Sequence, residues 1–160
     1  MAYNKNATSS TMLLGSGSAG LTSITLYYPV GLYFDSFSNS LIIANYGAHN
    51  IVRYTSGSNA WTLIAGNING DAGNTSTTFN NPINAVLDPM GNMYVADRSN
   101  YRVQFFRAGE SIGSTIAGIT GVSGSGPTKL AVLSFVTLDS QLNVYVADSS
   151  NGRIQKFLRY

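Results

Sequence analysis

The chain has 160 residues, of which 44% are hydrophobic and only 10% are charged, and its formal net charge is +2. This length fits one domain or part of one, and an average globular domain has about 25% charged residues. Cysteine is absent and His49 is the single histidine. Disulfides, cysteine nucleophiles, and zinc sites built from cysteines or several histidines are therefore excluded within one chain. We expect no nucleic-acid partner because the basic residues are scattered, and no membrane span because no apolar run approaches roughly 18 residues.

The sequence repeats itself along its whole length. The run Ser40–Asn45 is followed by similar runs at Asn92–Asp97 and Asn143–Asp148. The steps from Asn45 to Asp97 and from Asp97 to Asp148 are 52 and 51 residues. A fixed period of this size is typical of solenoids and β-propellers.

Each repeat contains four short runs that are rich in β-branched and aromatic residues. In the second repeat these runs predict strands at 83–88, 92–96, 102–106 and 114–117, with the first turn at 89–91. No segment keeps apolar residues at helical spacing for three turns. Four strands per repeat without a helix predict an all-β fold in which each repeat is one propeller blade.

The conserved positions within the chain resemble the NHL repeat. The motif that carries the resemblance is Pro82, Asp88, Gly91-Asn92-Met93-Tyr94-Val95-Ala96-Asp97, Asn100 and Arg102-Val103-Gln104, followed by Thr115-Ile116-Ala117-Gly118. The resemblance implies an NHL-type β-propeller, here three four-stranded blades that correspond to half of a six-bladed ring. NHL propellers serve as binding platforms in ubiquitin ligases of the TRIM type, receptor-kinase sensors and RNA regulators. One relative, the peptidyl-hydroxyglycine lyase, depends on metal-binding histidines that a chain with one histidine does not provide.

The repeats divide the chain into four parts. We expect an N-terminal outer strand at Met12–Leu14 with its linker over 1–28, and blades over 29–81, 82–132 and 133–160. The third blade lacks its outer strand. Two explanations stay open: two copies form a homodimer that closes a six-bladed ring, each N-terminal strand completing the partner's last blade, or the chain belongs to a longer protein.

An acid and a base recur together after the second strand of a blade. Asp97 is followed by Arg102 at the same spacing as Asp148 by Arg153, whereas the first repeat has Asn45 and Asn50. The acid and the base are thus replaced together in the first repeat. This is expected of a carboxylate and a guanidinium that form an ion pair, because replacing one of them alone would leave the other charge buried without a partner. We interpret these residues as a structural bracket of the turn between the second and third strands rather than as a polar binding site. Its members are Asp97, Asn100, Arg102, Asp148, Asn151 and Arg153, with each asparagine expected to cap its own turn.

The same turns are expected to share one face of the propeller with the blade-to-blade linkers. Those linkers, 15–28, 66–81 and 118–132, are long and rich in Gly, Ser and Thr. Loops on a rigid scaffold often carry function. The side chains on this face that are best suited to anchor a partner are Tyr46, His49, Arg98 and Tyr101.

These features predict a non-enzymatic scaffold that binds a protein or peptide through the linker face. Neither a cofactor nor a metal ion is expected. Two alternatives come from other classes: a propeller lyase or hydrolase with its site at the channel mouth, and an RNA-binding NHL domain. No Gly-x-Ser-x-Gly elbow lies between a strand and a helix, which weakens the hydrolase alternative.

Overall fold

The structure, a computed structural model, describes residues 11–15 and 19–159. This part of the chain contains short strands and three single-turn 3-10 helices, at Tyr46–Ala48, Arg98–Asn100 and Ser149–Asn151. The strands are β1 (Pro29–Asp35), β2 (Ser40–Asn45), β3 (Asn50–Thr55), β4 (Thr62–Gly66), β5 (Pro82–Leu87), β6 (Met93–Asp97), β7 (Arg102–Phe106), β8 (Ser114–Gly118), β9 (Leu133–Leu138), β10 (Val144–Asp148) and β11 (Arg153–Phe157). None of the described helices is long and apolar enough to cross a membrane.

The strands form three antiparallel sheets with simple up-and-down order. Blade 1 contains β1 to β4, blade 2 contains β5 to β8, and blade 3 contains β9 to β11. In all three blades the turn after the second strand is a 3-10 helix that ends on a residue with positive φ, namely His49, Tyr101 or Gly152. The propeller-type all-β fold is confirmed. The strand positions predicted for the second repeat are also confirmed, and no predicted strand end differs from the observed one by more than one residue.

The N-terminal strand expected at Met12–Leu14 is not a strand in the structure. The expected partner of this segment is the third strand of the last blade in a second copy, and a strand forms only where a neighbouring strand takes up its backbone hydrogen bonds. The neighbouring residues 1–10 and 16–18 lie outside the described part of the chain, as does residue 160.

The blades pack face to face through their apolar strands. The contact between blades 1 and 2 includes Ile42, Val95 and Phe106, all at most 1% exposed. The contact between blades 2 and 3 is built in the same way around Val103 and Val146. Every residue of β6 is buried because it lies between two other sheets. A fully buried side chain of this size stabilises the fold by about 1.5–3 kcal/mol.

The outward faces of blades 1 and 3 remain apolar. On blade 1, Leu32 and Phe34 are 64% and 55% exposed, and on blade 3, Phe135 and Ile154 are 50% and 68% exposed. These residues occupy positions that face the adjacent sheet in an inner blade. Contiguous apolar surface of this kind marks an interaction surface.

Gly31 of β1 lies where the inner strands approach most closely. A Cβ atom at this position would lie 2.9 Å from the Cα atom of Asn84 and closer still to the carbonyl oxygen of Ile83 in β5. The neighbours are backbone atoms and cannot rotate away, so the glycine is required for close packing of blades 1 and 2.

We expect Gly31→Ala to lower the free energy of unfolding by about 1–3 kcal/mol, the usual cost of overpacking. Gly126→Ala is the matched control, because its Cβ atom would lie 3.9 Å from the nearest atom. Urea unfolding followed by circular dichroism measures both variants. Equal stabilities for the two variants would contradict the close contact between blades.

Candidate functional site

The Asp–Arg bracket of blade 2 is a buried ion pair. Arg102 Nε donates to Asp97 Oδ2 at 2.8 Å, and the two side chains are 3% and 0% exposed. The residues face each other directly across the β6–β7 pair. The other carboxylate oxygen of Asp97 accepts the backbone N–H of Asn80 at 2.8 Å. One carboxylate therefore joins the turn to the linker that precedes its own blade.

The guanidinium of Arg102 holds that linker as well. Its Nη1 donates to Asn74 O at 3.0 Å, and its Nη2 donates to Thr75 O at 2.8 Å and Thr78 O at 3.0 Å. A further bond from Nη1 reaches Thr120 Oγ1 in the following linker. Arginine has five N–H donors, and all of them have partners here. The bracket thus fixes two linkers in addition to the turn.

Blade 3 repeats the bracket at the open end of the chain. Arg153 Nε donates to Asp148 Oδ2 at 2.8 Å. Its other nitrogens donate to three linker carbonyls, those of Ser125, Gly126 and Lys129. Arg153 is 29% exposed, and its counterpart Arg102 is 3% exposed. The difference arises because, among the described residues, no further sheet covers the outward side of blade 3.

Each bracket asparagine bonds to the preceding linker and to the aspartate of its own bracket, and not to a backbone group of its turn. Asn100 Nδ2 donates to Gly73 O at 2.7 Å and to Asp97 Oδ2 at 2.8 Å. Asn151 Nδ2 makes the equivalent bonds to Gly124 O and Asp148 Oδ2. The prediction of a local cap was wrong, since a carbonyl 27 residues earlier in the chain competes for the same amide hydrogens.

The two bracket carboxylates differ in their acidity. Burial raises the pKa of Asp97, in spite of the hydrogen bonds from Asn100, Asn80 N and Arg102. Burial acts in the same direction on Asp148, but its bonds from Asn151, Ala131 N and Arg153 prevail and lower its pKa. The same bonding pattern gives opposite directions because the bracket of blade 3 is less deeply buried: Asp148 is itself inaccessible, but its partner Arg153 is 29% exposed.

Blade 1 replaces the ion pair with neutral groups. Asn45 Nδ2 donates to Asn50 Oδ1 at 3.2 Å, and Asn45 Oδ1 accepts the N–H of Tyr27. The carbonyl of Thr25, which corresponds in the repeat to Thr78, accepts a bond from Trp61 Nε1 at 2.7 Å. The indole thus provides a bond that an arginine provides in the other blades. Sequence reasoning missed Trp61, because it is not in the aligned motif.

The four predicted partner anchors are half-buried, and three of them make contacts toward the next blade. His49 Nδ1 accepts the N–H of Asn81 at 3.0 Å, and Asn81 Nδ2 donates to Tyr46 O at 3.3 Å. Arg98 Nη1 donates to Leu133 O of blade 3 at 3.0 Å. Tyr101 ends its turn with φ of 56°. All four therefore lie in or directly after the 3-10 turns, and the side chains of His49 and Arg98 bond to backbone groups at the start of the next blade.

Exposed apolar side chains on the same linkers were not singled out from the sequence. They are Leu21, Ile24, Ile68, Ile119 and Val122, which are between 40% and 53% exposed. The signal that could have found them is an apolar residue in a Gly- and Ser-rich linker. Leu21 packs against Gly70 of the next linker. A Cβ atom added to Gly70 would lie only 3.0 Å from Cδ2 of Leu21.

Two grooves open between the outer parts of neighbouring blades. The groove between blades 1 and 2 has a volume of about 260 Å³ and is narrowed by Gly109, Glu110 and Ser111 of a β7–β8 turn. The groove between blades 2 and 3 has a volume of about 780 Å³ and is lined on its two sides by Phe105 and Phe157. The larger groove lies beside β11, which is the edge strand of blade 3.

The described residues contain no group of three or more His, Cys, Asp or Glu side chains that could hold a metal ion. The arginines of the brackets are engaged with carboxylates and linker carbonyls. The chemistry that this face offers is therefore mainly neutral: exposed backbone, hydroxyl and amide groups, and apolar side chains.

A family model described as the NHL repeat matches residues 130–157. In sequence, the chain is 28% identical over 143 residues to a protein of Mus musculus named NHL repeat-containing protein 3, and the match covers 83% of this chain and 40% of that protein. The chain thus spans about two fifths of the relative that it matches.

Solved structures show the same fold at low sequence identity. An auxiliary nutrient binding protein from Bacteroides thetaiotaomicron has a TM-score of 0.63 and 17% identity, with 78% of this chain and 36% of that chain covered. A streptogramin B lyase has a TM-score of 0.59 and 9% identity, with 84% and 39% covered. One fold therefore occurs in a binding protein and in an enzyme, so fold similarity does not decide between the two.

We expect Arg102→Met to lower the free energy of unfolding by about 3–5 kcal/mol, because it leaves the Asp97 carboxylate buried without its cation. Arg153→Met is the matched variant and should cost less, since solvent reaches that bracket. Urea unfolding of both variants at pH 7 provides the comparison. An equal loss would show that burial does not govern the strength of the bracket.

Folding should depend on pH through His49. Burial lowers the pKa of His49, although Asp71 acts in the opposite direction. The unfolded chain then binds a proton more readily, so stability is complete above the unfolded pKa of about 6.5 and decreases as the pH falls toward the folded value. His49→Asn is the control because asparagine tolerates positive φ. Urea midpoints at pH 7.5, 6.5 and 5.5 should fall more steeply for the wild type, and parallel profiles would contradict this role of His49.

Proposed function

We propose that this chain, an NHL-repeat protein with the β-propeller fold, is a non-enzymatic module that binds a protein or peptide through its linker face. The observation that carries the proposal is the set of exposed apolar side chains on linkers whose backbone the brackets hold in place. Ile68, Ile119 and Val122 are the members that lie between blades.

A held backbone favours binding because little conformational entropy is lost when a partner arrives. Arg102 and Arg153 bond to three carbonyls each in the linkers before their blades. Residues such as Val122 are then presented on loops that are already ordered. Aromatic and aliphatic anchors on an ordered surface account for much of the affinity in protein complexes.

The charge of the face favours an apolar partner over an anionic one. The linkers at 19–28, 67–81 and 119–132 contain one acidic residue, Asp71, and one basic residue, Lys129. RNA binding needs a basic surface that neutralises several phosphates. The arginines nearest to the face already donate to carboxylates and linker carbonyls, which leaves few cations for such a ligand.

Selection from a random peptide display library on the immobilised chain tests the proposal. We expect enriched peptides to bind at least tenfold more weakly to Ile68→Ser/Val122→Ser, since about 1.4 kcal/mol of lost contact is a factor of ten. The control variant is Met90→Ser/Ile112→Ser, whose apolar side chains are 56% and 64% exposed in turns on the opposite face.

Circular dichroism of both variants verifies that they fold. Three outcomes would contradict the proposal: no enrichment over an unrelated β-protein, equal binding to the linker-face variant and the wild type, or an equal loss in the control. The last of these would assign binding to another surface.

A further inference from the structure

We infer that residues 12–15 become the fourth strand of blade 3 in a second copy of this chain, and that two copies close on each other through this segment and the two open blade faces. The surface involved is distinct from the linker-face patch, so this inference does not depend on the proposed function.

The linker that precedes blade 1 has the conformation of the linkers between blades. Gly20 N donates to Leu26 O, as Gly73 N does to Phe79 O and Gly124 N to Leu130 O. The bond from Tyr27 N to Asn45 Oδ1 likewise repeats in the other two blades, at 2.7 to 2.8 Å. The first linker therefore leads into blade 1 as if from the outer strand of a preceding blade.

Residues 12–15 lie where that outer strand would be. Gly15 has φ of 104°, and the last residues of β4 and β8, Gly66 and Gly118, have φ of 95° and 80°. Leu14 packs against the cluster of Ile43 and Tyr54 on blade 1. One repeat later the corresponding residues make the same contact: Ala65 packs in one cluster with Val95 and Phe106. Met12 and Leu13 are 71% and 58% exposed.

The strand that would pair with residues 12–15 is available on blade 3. In the described part of the chain, β11 pairs with β10 alone, whereas β3 and β7 each pair with a fourth strand. An exposed edge of this kind accepts an added strand. The register follows from the repeat: Ala65 pairs with Ile51 and Ala117 with Val103, which places Leu14 opposite Ile154 of the other copy.

The two open faces then meet as neighbouring blades do within the chain. Phe135 and Ile154 of one copy would cover Leu32 and Phe34 of the other, and Met12 would lie toward the 780 Å³ groove beside β11. Both faces carry apolar residues and few charges, as the buried contacts between blades do. A second copy is the occupant that this pairing favours, because one chain supplies both complementary parts. A two-fold arrangement uses each part once in each copy.

Light scattering behind a sizing column, at two concentrations tenfold apart, measures the mass of the assembly. We expect a single species near twice 17.0 kDa at both concentrations. Ile154→Asp should convert it to a monomer, whereas Phe37→Asp should not, since Phe37 is fully exposed in a turn on the opposite face. A wild-type monomer, or a series of larger species from open-ended association, would overturn the inference.

Engineered cysteines test the register, which separates this dimer from one that forms through another surface. The chain has no native cysteine. Leu14→Cys/Ile154→Cys should give a disulfide-linked dimer on mild oxidation, because directly opposite residues in an antiparallel pair have Cβ atoms about 4.5–5.5 Å apart. Phe37→Cys/Ile154→Cys is the control and should remain uncrosslinked. A non-covalent dimer without the expected crosslink would overturn the strand pairing, and loss of peptide binding alone would leave it standing.

Discussion

Each sheet of this chain is apolar on both of its faces, so no blade can bury its side chains without a neighbour on each side. Blade 2 has both neighbours, and every residue of its central strand β6 is buried. Within residues 11–15 and 19–159, blades 1 and 3 have one neighbouring blade each and leave Leu32, Phe34, Phe135 and Ile154 exposed. The stability of the fold therefore depends on contacts between units that are separate in sequence, as in other repeat proteins.

The brackets solve a second problem that blade packing creates. Long linkers must cross from the outer edge of one blade to the centre of the next, and their carbonyl groups are outside the sheets and need other hydrogen-bond partners. Arg102 supplies these partners from a strand rather than from the linker, and its charge is balanced by Asp97. Where the charge pair is absent, Trp61 supplies one of the bonds from a different place in the chain. The carbonyl at this position of the linker therefore accepts a side-chain N–H in both blades, although the donor is an arginine in blade 2 and a tryptophan in blade 1.

Much of the fold could be predicted because its determinants are local. Short apolar runs, Asp–Pro and Gly turns and the repeat period locate the strands to within about a residue in the second blade. The N-terminal segment Met12–Leu14 is not a strand in the single chain. Its expected pairing partner is the last blade of a second copy, and strand formation there depends on a neighbour that local propensity does not report.

The site was harder to predict because exposure depends on the adjacent blade. His49 and Arg98 are polar turn residues that appear free in the sequence, yet each bonds to a backbone group of the following blade. The apolar residues of the linkers show the reverse: Ile68 and Val122 would be expected in a core but lie in solvent. The guanidinium groups of Arg98, Arg102 and Arg153 thus hold backbone carbonyls in place. The linkers that they hold display apolar side chains among neutral polar ones. Because only 10% of the residues are charged, few ionic groups are left for the linker face once these bonds are made.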